Sequence, residues 1–93
     1  MVKKFVVASY DIANDKRRKK IADTLEKYGV RANYSVFECF VTPKQYEQLK
    51  QTICEIAKPK TDSILFYTLC RNCIENREYF GNYGKSNNLI DSI

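Results

Sequence analysis

The 93-residue sequence contains no histidine and no tryptophan, and only two prolines and three glycines. The missing histidine removes the commonest general base and the commonest metal ligand. Hydrolytic chemistry on this chain must therefore rest on carboxylates, tyrosine, cysteine or a bound metal. No apolar run approaches the roughly 20 residues that cross a bilayer. Met1-Val2-Lys3-Lys4 passes straight into a strand-like segment, with no signal-peptide core or cleavage site. The chain accordingly reads as cytoplasmic, with no membrane partner. Repeats, linkers and low-complexity segments are also missing. The four cysteines, at positions 39, 54, 70 and 73, are read as reduced thiols rather than a disulfide framework, since nothing marks the chain for export. Cys70-Arg71-Asn72-Cys73 has the spacing of a zinc pair, but no second pair follows it, so ordinary thiols are expected there.

What is present suits one small folded domain over residues 1–93. A chain of this length buries only roughly 60–70% of the surface its unfolded form exposes, so partners that cover leftover apolar surface are expected. A hydrophobic fraction of 44% is too high for a disordered chain. Sixteen Lys and Arg against eleven Asp and Glu give +5, which favours polyanionic partners.

Lys3 to Tyr10 is nearly all apolar, the pattern of a central strand covered on both faces. A polar turn follows at Asp11-Ile12-Ala13-Asn14. Ile21, Ala22, Leu25 and Tyr28 then recur at helical spacing over about residues 15–28, and Gly29 reads as the stop. Arg31 to Val41 is strand-like, either one strand or a tight hairpin. Thr42-Pro43-Lys44-Gln45 reads as a capping box that opens a second helix, which Pro59 bars from continuing. Ser63 to Cys70 is a third apolar strand. Arg77-Glu78-Tyr79-Phe80 and Leu89-Ile90 are weaker strand candidates. This order predicts an α+β, ferredoxin-like fold: an antiparallel sheet with two helices on one face. The first and third strands are apolar on both parities, so something should cover the other face. A second copy of the chain is preferred over stacked nucleobases, because the aromatic-glycine signature of RNA-recognition modules is missing.

Lys16-Arg17-Arg18-Lys19-Lys20 places five cations on the first turns of helix one, against the helix macrodipole. By phase, Arg17 and Arg18 flank the buried face, while Lys16, Lys19 and Lys20 point to water. Phosphate binding would explain tolerating them. Asp11 closes a central strand in the loop that the two arginines overhang. Near a two-fold axis it would become a pair of carboxylates able to hold a magnesium ion that keeps several waters. Tyr10, of opposite parity, is a wall residue. Arg31, Asn33, Ser35 and Phe37 are expected to share one side of the second strand.

Tyr10-Asp11-Ile12, Arg17-Arg18, Tyr28-Gly29 and Arg31 with Tyr34-Ser35-Val36-Phe37-Glu38 resemble the family of CRISPR-associated protein two. Asp62-Ser63-Ile64, Tyr67-Thr68-Leu69-Cys70 and a late Gly81 extend the resemblance over about the first 80 positions. Asn33 departs from it, standing where the family usually has glutamine. The resemblance implies a ferredoxin-like homodimer with facing sheets and a C-terminal strand or tail, about 78–93, reaching the partner. It implies an endonuclease of spacer acquisition in which Asp11 binds Mg(2+) or another divalent cation between subunits. Nucleic acid, DNA or RNA, would be held by Arg17, Arg18, Arg31, Ser35 and Phe37. It further implies a complex with CRISPR-associated protein one, the integrase. A non-catalytic DNA-bridging scaffold and a toxin-like ribonuclease remain as alternatives.

Overall fold

Alternation along Lys4–Asp11 (β1) sends Val6, Ala8 and Tyr10 to one side and Phe5, Val7, Ser9 and Asp11 to the other. The computed structural model describes residues 3–81. Within them β1 is followed by Asp15–Glu26 (α1), Gly29–Asn33 (β2), Val36–Val41 (β3), Pro43–Ile56 (α2), Ser63–Leu69 (β4) and the short Arg71–Glu75 (α3). The four strands form one sheet in the order β2-β3-β1-β4, every neighbouring pair antiparallel. This is the ferredoxin-like arrangement, with β1 central as its two apolar parities required.

Both long helices start as their sequences dictate. The Asn14 side chain accepts a hydrogen bond from the Arg17 amide at 3.0 Å and caps α1. At α2 the Thr42 hydroxyl accepts from the Gln45 amide at 3.1 Å, and the Gln45 side chain accepts from the Thr42 amide at 2.9 Å. Ile21, Leu25, Leu49 and Ile53 then pack on Val6, Ala8, Phe37, Cys39 and Val41 to form the core. Helix one ends at Glu26, short of the expected Tyr28, and Gly29 opens β2 instead of stopping the helix. A Cβ on Gly29 would lie 2.1 Å from the Glu38 carbonyl oxygen, so glycine serves the close approach of β2 to β3.

Residues 31–41 resolve as a hairpin. A register irregularity between Arg31 and Asn33 interrupts the alternation. Arg31 pairs with Phe37 on the helix side, Asn33 pairs with Val36 on the opposite face, and Ser35 lies in the turn, where its carbonyl accepts the Tyr10 amide. The expected common row of Arg31, Asn33, Ser35 and Phe37 is thus broken. The expected strand at Arg77-Glu78-Tyr79-Phe80 is also replaced by irregular chain after α3. Leu89-Ile90 and the tail after Gly84 lie outside the described residues. Among the described residues no helix is long and apolar enough to cross a membrane.

Candidate metal and nucleic-acid site

Asp11 ends β1 opposite Ser63, the first residue of β4, on the sheet face that the two long helices leave open. It is exposed, and among the described residues no ion pair or side-chain hydrogen bond engages it. Its position is fixed from the loop beyond. Asp62, whose side chain is 0% exposed, forms an ion pair with Arg17 Nε at 2.8 Å and accepts from Arg17 Nη2 at 3.2 Å. The same carboxylate accepts the amides of Ala13 at 3.3 Å and Lys58 at 2.9 Å, and the Thr61 hydroxyl at 3.1 Å. One buried carboxylate therefore ties the start of α1 and the loop after Asp11 to the entry of β4. The Arg17 guanidinium, followed by the Lys58 amide, holds the Asp62 carboxyl well below the ordinary carboxylate range. In the sequence Asp62 stands only within a family-like string; nothing in its spacing signals a burial partner 45 positions away.

The five-cation run divides by phase. Arg17 is turned inward and only 19% exposed, so its guanidinium serves Asp62 rather than a phosphate. Arg18 is half-exposed, reaching Asp15 at 2.7 Å and donating to the Ile12 carbonyl at 3.3 Å. Lys19 pairs with Asp23 at 3.3 Å, while Lys16 and Lys20 make no ion pair among the described residues. Arg31 stacks over the Phe37 ring at 4.9 Å and donates to the Tyr34 carbonyl. Phe37 itself is fully buried against Tyr10, with ring centroids 6.2 Å apart. It is a core residue and has no face to offer a base, contrary to the expectation that it binds nucleic acid. Tyr10 donates to the Tyr34 carbonyl at 3.0 Å and holds the β2–β3 turn, the wall role expected of it. Tyr10, Arg18, Lys19, Arg31 and Tyr34 border an open cleft of about 460 Å³, and Asp15, Asp23 and Glu26 offset the cations there.

The open face has its own features. Phe40, Leu65 and Tyr67 are 57%, 57% and 54% exposed. Arg77 folds onto the same face, 4.8 Å over the Phe5 ring and 2.7 Å from Glu38. That contact is an ion pair without hydrogen-bond alignment. Glu38 Oε1 and the Arg77 Nε, Nη1 and Nη2 atoms are buried with no hydrogen-bond partner among the described residues. Burial pushes the Glu38 carboxyl up, against the pull of Arg77. Among the described residues, no three His, Cys, Asp or Glu side chains gather where they could share an ion.

The sequence model of the family described as "CRISPR associated protein Cas2" matches residues 4–77. The chain is 40% identical over 75 residues to "CRISPR-associated endoribonuclease Cas2 3" of Synechocystis sp., covering 81% of this chain and 82% of that relative. Its fold is similar to the crystal structure of Streptococcus pyogenes Cas2, with a TM-score of 0.76 and 36% identity, covering 83% of this chain and 99% of the other. A chain of a "Partial Cas6-RT-Cas1--Cas2 complex" superposes with a TM-score of 0.69 at 35% identity, covering 82% and 89%.

Proposed function

We propose, from the premise that this chain belongs to the CRISPR-associated protein Cas2 family, that it is a metal-dependent endonuclease of CRISPR spacer acquisition, cytoplasmic and homodimeric. The observation that carries the reading is Asp11: an exposed carboxylate, unengaged among the described residues, at the end of a central strand, on the face the long helices leave open. Phe40, Leu65 and Tyr67, each more than half exposed, favour that face as the one a partner would cover. A second copy meeting it face to face would bring two Asp11 carboxylates to one axis.

One chain offers Asp11 as a hard oxygen ligand, which fits magnesium, an ion held by one or two carboxylates and several waters. It does not fit zinc, whose four nitrogen or sulfur ligands are not assembled among the described residues. A bound magnesium ion would supply an activated water and positive charge at a scissile phosphate. Asp11 would hold and orient it, and the Asp62–Arg17 pair would fix the loop behind Asp11. Arg18 and Arg31, joined by Lys16, Lys20 and the half-exposed Ser35, would contact phosphates and sugars of DNA or RNA without reading bases. The Cas1–Cas2 complex among the structural relatives supports the integrase, CRISPR-associated protein one, as partner.

A non-catalytic DNA-bridging role is the second reading, favoured by the single carboxylate that each chain contributes. Cleavage of RNA and of duplex DNA with magnesium, then with EDTA, separates the two. The nuclease reading expects cutting that EDTA abolishes and that Asp11→Asn abolishes with nucleic-acid affinity unchanged or slightly higher. Equal cutting by Asp11→Asn would leave the scaffold.

A further inference from the structure

A pair of thiols stands outside everything assigned so far. Cys70 stands at the N-cap position of α3, its side chain making no capping hydrogen bond, and Cys73 lies one turn later, their sulfurs 3.6 Å apart and both residues exposed. We infer that Cys70 and Cys73 form a reversible dithiol–disulfide site that reacts with small disulfides such as oxidised glutathione. The sulfurs already face each other across one turn at 3.6 Å, and a bond would draw them to about 2.05 Å. Two sulfurs alone make a poor zinc site, and no third His, Cys, Asp or Glu joins them among the described residues.

The two thiols act on each other: interaction with Cys73 holds the Cys70 sulfur below the ordinary thiol range, and Cys70 pushes Cys73 up. Either sulfur can attack a small disulfide, and where Cys70 attacks Cys73 resolves. The other two cysteines lack this setting. Cys39 is buried in the core and raised to about 11, and Cys54 lies on α2.

The step balances as a two-electron exchange. The Cys70 thiolate attacks one sulfur of oxidised glutathione, forming a mixed disulfide, and the first glutathione leaves as a thiolate that takes up a proton. Cys73 then loses its proton, its sulfur attacks the Cys70 sulfur, and the second glutathione leaves in the same way. Two protein thiols are oxidised and one small disulfide is reduced. The bond would staple the first turn of α3, the segment that leads from β4 to Arg77 and its contact with Glu38.

The full-length protein equilibrated in glutathione redox buffers, quenched with acid and weighed intact tests this. The wild type should lose the mass of two hydrogens and two of its four thiols, with the bond mapped between positions 70 and 73. Cys73→Ser should instead accumulate a glutathione adduct on Cys70, and Cys70→Ser one on Cys73, neither losing two hydrogens. A wild type that keeps a stable glutathione adduct on either cysteine, or that keeps both thiols in a buffer that modifies Cys54, overturns the inference.

Discussion

On the helix side of the sheet, Val6, Phe37, Cys39 and Val41 meet Ile21, Leu25, Leu49 and Ile53, and each of these side chains is buried. On the other side β3 presents Phe40 and β4 presents Leu65 and Tyr67, all more than half exposed, beside an ion pair whose remaining polar atoms have no hydrogen-bond partners among the described residues. Among the described residues one face is closed by local chain, and the other is closed in part, by Arg77 lying over Phe5. Both long helices of the described residues lie on one face, and the second face is the one the proposed dimer would cover. Asp11, Ser9 and Val7 stand on that second face, which puts the candidate chemistry where an interface would form rather than over the core.

Truncation should separate the two faces most sharply. Phe37→Ala empties a fully buried site and should cost about 3–5 kcal/mol, seen as a lowered urea midpoint at every protein concentration. Tyr67→Ala should lower the midpoint only through its concentration dependence, because in the proposed dimer it would pack between copies. Equal, concentration-independent losses would erase the distinction between the faces.

The arginine pair gives a smaller version of the same contrast. Arg17→Ala leaves the buried Asp62 carboxylate without its guanidinium and should lower the midpoint, whereas Arg18→Ala should leave it near wild type. In nucleic-acid binding the order reverses. Arg18→Ala should weaken binding of all sequences alike and make the log–log salt slope shallower by roughly 0.9 for each duplex phosphate that is no longer neutralised.

Acid titration is the mildest probe. Asp62 titrates lower when folded than when unfolded, so its contribution is present above the unfolded value of about 3.9 and is lost as pH falls toward the folded one. Asp62→Asn should flatten the acid limb of the stability curve. Glu38 runs the other way: its folded value is raised, so the cost of burying its charge is relieved as pH falls through that value. Glu38→Gln should therefore steepen the net loss on acidification.

Much of this is legible in the sequence, for local reasons. Thr42, Pro43 and Gln45 carry their capping chemistry within four positions, and the helical period of Ile21, Ala22 and Leu25 marks the buried stripe. The two-sided apolar pattern of β1 and β4 is enough to point to a second face in need of cover. What is not legible depends on distant partners. Arg17 and Arg18 are neighbours in sequence with equal charge, and only the placement of Asp62 turns one inward. Phe37 reads as available when strand alternation is carried through Arg31 to Val41, and the irregularity at Arg31 and Asn33 breaks that alternation. Gly29 reads as a helix stop because the approach of Glu38 cannot be inferred from one strand alone.

In the proposed enzyme the cleavage site exists only where two open faces meet. The most direct measurement pairs light scattering with magnesium-dependent cleavage on Leu65→Asp, which places a charge on the open face while leaving Asp11 intact. A folded protein with the mass of one chain and no cleavage is expected. A folded monomer that cuts at the wild-type rate would contradict it.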